Sequence, residues 1–74
     1  MATGRVARWV TMRGFGFLQN DDGGPHVFCH LSALPHGLEG LPVGTRVRFD
    51  MAKDRDGRPR AANVQLESTE SEGD

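Results

Sequence analysis

Seventy-four residues provide for one small domain, since a chain this short hides only about 60% of the surface it exposes when unfolded. Ten glycines and four prolines argue against a helix bundle, a single cysteine excludes an internal disulfide, and no apolar run nears the roughly 20 residues of a membrane span. The net charge of −1 conceals a segregation: four acids fall between Glu67 and Asp74, which leaves nine Lys/Arg, eight of them arginine, against six Asp/Glu over residues 1–66.

Period-two alternation recurs along the chain and helical periodicity does not. Arg5–Val10 reads as a first strand. Arg13–Gln19 reads as a second, with Phe15 and Phe17 on one face and Gly14, Gly16 and Leu18 on the other. Asn20–Pro25 is a cluster of turn formers, and His26–Leu31 follows as a third strand. On that strand His26, Phe28 and His30 share one face, opposite Val27, Cys29 and Leu31.

Ser32–Gly44, with two prolines and three glycines, is an irregular crossing with one helical turn expected near Ser32–Leu34. Thr45–Met51 alternates again and turns Val47, Phe49 and Met51 inward. Asp54–Gly57 is a turn, and Pro59–Leu66 closes the set with Ala62, Val64 and Leu66 as its inner face. Five short strands of this kind predict an all-β fold, a small five-stranded antiparallel barrel. Residues 67–74 are polar and acidic and read as a disordered tail outside the domain of residues 1–66.

The two neighbouring strands bring Phe15, Phe17, Phe28 and His30 to one face. Their alternating partners already supply a core, so these rings are expected to face water. A row of exposed rings flanked by arginines suits unstacked bases on a phosphate backbone, with stacking contributing about 1–3 kcal/mol per base. Arg58 and Arg60 flank the closing strand and extend the phosphate track. Arg8 reads as a phosphate contact or as a solvated charge, and Arg46 and Arg48 as solvated. Cys29 alternates inward as a small hydrophobe. With His26, His30 and His36 it lacks the converging ligands that zinc requires, so no metal or cofactor is expected. No nucleophile or carboxylate pair has a base partner, which argues against an enzyme.

Arg13-Gly14-Phe15-Gly16-Phe17-Leu18 resembles the first ribonucleoprotein motif of the bacterial cold-shock domain family. Val27-Phe28-Cys29-His30-Leu31 resembles the second, and Ala61-Ala62-Asn63-Val64 resembles the closing strand. The similarity runs from about Gly4 to Leu66. It implies an OB-fold barrel that binds single-stranded RNA or DNA and acts as an RNA chaperone in transcription or translation, and the lone cysteine makes a reducing cytoplasm the expected setting. By the same resemblance Phe15, Phe17, Phe28 and His30 stack on bases, and Arg13 contacts the backbone. His26, also expected among the nucleic-acid contacts, stands near a position that is commonly acidic. The family's first-strand tryptophan aligns with Arg8 if no gap is allowed and with Trp9 after a one-residue shift. A bulge accommodates either register, and Trp9 lies either beside the rings or in the barrel edge. Leu31 and Leu38 replace family aromatics, which implies weaker binding than is usual. A monomer is expected, with strand exchange between two copies an open alternative. A protein-docking barrel using the same rings is the rival reading.

Overall fold

The computed structural model describes residues 1–67. Five strands form in chain order: β1 (Ala2–Val10), β2 (Phe15–Asn20), β3 (Val27–His30), β4 (Arg46–Lys53) and β5 (Pro59–Leu66). They close into a barrel in the order β1-β2-β3-β5-β4. The five-stranded barrel is as the sequence predicts, and its pairings are antiparallel except at one seam. β3 and β5 run parallel and meet at the single register pair Phe28↔Arg60, while the other four pairings are antiparallel.

The fully buried residues come from every strand: Val6, Leu18, Val27, Cys29, Val47, Phe49, Ala61 and Val64, with Leu34 and Leu41 sealing the core from the long crossing. The alternation of β2 and β3 is as the sequence predicts. Gly16, Leu18, Val27 and Cys29 point inward, and the intervening rings do not.

Elsewhere the simple alternation fails, for local backbone reasons. The register slips between Val6 and Arg8 of β1, so Ala7 is an extra residue opposite the Leu18–Phe17 step. A second slip lies opposite the Arg48–Asp50 step of β4, where Asn63 takes a positive φ of 51°. Asparagine tolerates this left-handed conformation better than most residues, and its amide donates to Asp50 Oδ2 at 3.1 Å. The bulge changes which residues of β5 face in. Ala61 and Val64 are buried, whereas Ala62 is only half-buried and Leu66 is 46% exposed. The expected inner face of Ala62, Val64 and Leu66 therefore holds at Val64 alone. Met51, expected inward, is 50% exposed near the end of β4.

Thr11–Arg13 forms a 3-10 turn instead of beginning the second strand. Gly14 ends it at φ 72°, with its N–H donating to the carbonyls of Thr11 and Val10. Leu31–Ala33 forms the helical turn expected near Ser32. The strand ladder also continues past the expected domain edge, because the Glu67 N–H donates to the Arg46 carbonyl at 3.0 Å. The remainder of the expected tail, residues 68–74, lies outside the described residues.

Candidate nucleic-acid interface

Directly opposed residues on antiparallel strands point to the same face of a sheet. β2 and β3 pair Phe15 with His30 and Phe17 with Phe28, so the four side chains share the outer face. The three phenyl rings form one cluster. Phe15 and Phe28 lie 5.6 Å apart between centroids, and Phe17 stands nearly edge-on to both at 6.0 Å. All three are half-buried by one another and the strands, and His30 is exposed. A bare row of rings costs free energy in water, so mutual packing lowers that cost while leaving faces available to a ligand.

His30 is held from one side. Its Nδ1 accepts the Ser32 N–H at 3.1 Å, which caps the turn Leu31–Ala33, and lies 2.9 Å from Ser32 Oγ. This fixes the ring plane and leaves Nε2 as the nitrogen free to meet a ligand.

The bulge at Ala7 settles the first-strand register. Arg8 pairs with Phe17 and is exposed beside the rings, in the place that the ungapped alignment gives it. Trp9 pairs with Gly16, on the opposite face. Its half-buried indole packs against the core and fills the space that side chains at Gly16 and Gly40 would need. Trp9 therefore plugs the barrel edge and is corrected as a member of the ring platform. Its Nε1 is buried with no hydrogen-bond partner among the described residues.

Arg13 is exposed on the 3-10 turn that leads into Phe15. The cations of the closing strand part company. Arg58 joins His26, Pro25, Phe17, Phe28, Asp54 and Pro59 around a cleft of about 420 Å3 at one end of the ring row. Arg60 instead lines an open groove of about 600 Å3 with Ser32, Lys53 and Gln65, between β5 and the turn that follows β3. Neither arginine makes an ion pair among the described residues. Sequence reasoning read Asp54 only as a turn former. The signal it missed is that this turn returns the chain to the rings, carrying Asp54 into the cleft with Arg58.

Arg46 is not the solvated charge expected. Its guanidinium grips both oxygens of Asp21 at 2.7 and 2.8 Å and reaches Glu67 at 3.3 Å, while Thr3 Oγ1 donates to Asp21 at 2.7 Å. These bonds hold the Asp21 carboxyl well below the usual carboxylate range and clasp the 21–26 loop to β1 and β4. Cys29 is fully buried, and burial pushes its thiol up to about 11. Among the described residues no group of three or more His, Cys, Asp or Glu gathers as a metal site would require.

Comparisons with known proteins bear on the family and the fold. The family model described as 'Cold-shock' DNA-binding domain matches residues 2–67. A Sinorhizobium fredii protein described as "Probable cold shock protein y4cH" is 43% identical over 67 residues, spanning 88% of this chain and 97% of that protein. "Cold shock protein ScoF" of Streptomyces coelicolor is 40% identical over 65 residues, spanning 86% and 96%. Among solved structures, "drosophila Unr CSD456" superposes with a TM-score of 0.76 at 20% identity, over 97% of this chain and 29% of that one. That likeness bears on the fold.

Proposed function

Because the chain belongs to the cold-shock domain family, whose members are generally nucleic-acid-binding proteins, we propose that it binds single-stranded RNA or DNA across β2 and β3. Bases stack on Phe15, Phe17, Phe28 and His30, His26 contacts the strand from the cleft beside Phe17 and Phe28, and Arg8, Arg13, Arg58 and Arg60 meet phosphates. The observation that carries the reading is the cluster of three outward phenyl rings within 6.0 Å of one another, continued by His30 and flanked by Arg8. Flat rings accept any base with an open face, and a duplex offers none because its bases already stack on each other.

The footprint is about five to seven nucleotides, within the roughly 4–16 that an OB-fold covers. Holding the open strand draws a weak hairpin toward its melted form by mass action, without ATP and without a catalytic residue. This is the activity of an RNA chaperone in transcription or translation, exercised by a single chain in the cytoplasm. Leu31 and Leu38 pack against the core and add no ring to the outer face, which supports weaker binding than a platform with more aromatics gives.

Fluorescence anisotropy with a labelled seven-residue oligothymidine or oligouridine, against a duplex of equal length, tests the reading. The single strands are expected to bind and the duplex to fail. Equal affinity for the duplex would overturn it.

A further inference from the structure

The cleft at the Phe17–Phe28 end of the platform is not lined by rings and cations alone. Asp54 lines it together with His26 and Arg58. A carboxylate is unexpected on a surface meant for a polyanion, since it repels phosphate and can only accept hydrogen bonds.

The carboxylate is fixed in place. Asp54 Oδ1 accepts the backbone N–H of Asp56 and of Arg58, both at 2.9 Å. The Asp54 N–H donates to the Arg58 carbonyl at 3.0 Å, and the Gly57 N–H donates to the Asp54 carbonyl at 3.0 Å. Its second oxygen, Oδ2, takes no hydrogen bond among the described residues. The site thus joins two phenyl rings, one oriented acceptor and a guanidinium with no ion-pair partner among the described residues, the last two on the same short turn.

Resting on the function proposed above, we propose that this cleft is a guanine-selective subsite for one base of the bound strand. Guanine alone among the bases places two adjacent donors, N1–H and N2–H, beside an acceptor, O6, on its Watson–Crick edge. Asp54 Oδ2 accepts from the donor pair, Arg58 donates to O6, and the purine stacks on Phe17 or Phe28. Adenine and cytosine turn a ring-nitrogen acceptor toward the carboxylate and are disfavoured. Arg58 also offsets the Asp54 charge, so that the strand approaches without net repulsion.

The test is a set of labelled seven-residue oligothymidines carrying one guanine, inosine, adenine or cytosine, walked through every position, with wild type and Asp54→Asn. In the variant the amide oxygen keeps both backbone hydrogen bonds of the turn, while the amide nitrogen puts a donor where the free acceptor was. At one position guanine is expected to bind about 10-fold tighter than adenine or cytosine, as one charge-assisted hydrogen bond allows. Inosine, which lacks the N2 amine, falls between them. Asp54→Asn brings guanine and adenine within about 2-fold while plain oligothymidine still binds. Oligothymidine binding with no guanine preference at any position, or a preference that survives Asp54→Asn, overturns this inference alone. Failure of every oligonucleotide to bind overturns the function on which it rests.

Discussion

The indole of Trp9 lies across the α-carbon of Gly16, its register partner on the neighbouring strand. A methyl group at residue 16 would meet the indole and come within 2.5 Å of the Arg8 carbonyl oxygen. The glycine of the ring motif is thus required on the inner face, opposite the phenyl platform. Gly16→Ala is expected to destabilise the fold by about 2–3 kcal/mol, because the backbone of β1 cannot withdraw and the indole must. Urea unfolding followed by tryptophan emission measures this, with the native emission of the variant red-shifted. Wild-type stability in the variant would contradict this packing.

Removing a ring should act on binding and spare the fold. Phe17 and Phe28 are half-buried on the outer face, outside the core of Val6, Leu18, Val47 and Phe49. Phe28→Ala is expected to lose about 1–3 kcal/mol of affinity for oligothymidine, the range for one stacked base. Its thermal unfolding midpoint should fall by several degrees, as lost packing on Phe15 and Phe17 requires, while the protein remains folded at the temperature of the titration.

The cations should be recognised by salt and the rings should not. Each phosphate neutralised on a single strand adds about −0.7 to the slope of log affinity against log salt. Arg13→Gln is expected to flatten that slope by about 0.7, and Phe17→Ala to lower affinity without changing it. Titrations across a range of salt concentrations separate the two behaviours.

How far the site could be read from the sequence depended on what held each segment. β2 and β3 are regular, so strict alternation put Phe15, Phe17, Phe28 and His30 on one face and Leu18, Val27 and Cys29 on the other. Bulges defeat that method, because one extra residue turns every later side chain over. Ala7 carries no mark of its bulge, so Arg8 and Trp9 could not be told apart in register. Asn63 does carry a mark, since asparagine accepts a positive φ, yet within Ala61-Ala62-Asn63-Val64 it passes for an ordinary strand residue. Residues distant in sequence were harder still. Nothing local to Arg46 announces Asp21 and Glu67, and nothing in a turn at Asp54–Gly57 announces that it borders Phe17.

The Arg46 clasp gives the fold an acid sensitivity of known sign. The Asp21 carboxyl is lowered in the folded state, first by its hydrogen bonds to Arg46 and then by Thr3. Its stabilisation is present above the ordinary carboxylate pKa of about 3.9 and is lost as pH falls below that toward the folded value. Asp21→Asn should therefore be less stable than wild type at neutral pH, with the gap closing as pH drops below about 4. The pair is solvent-accessible, so added salt should narrow the gap at neutral pH. Denaturant midpoints at several pH values check both.

Cys29 offers a probe of barrel closure. With its thiol buried and raised to about 11, little thiolate forms near neutral pH. A colorimetric disulfide reagent is expected to leave it unmodified in the native protein and to react promptly in urea. Rapid native reaction would mean that the β3–β5 seam opens readily.

The most direct test of the central claim is a titration of labelled oligothymidine against wild type and the double variant Phe17→Ala/Phe28→Ala, with the fold of each monitored by circular dichroism. Affinity is expected to fall by about 30-fold or more while the β-sheet signal is retained, as the loss of stacking for two bases requires. Undiminished affinity in a folded double variant would contradict the claim that bases bind on these rings.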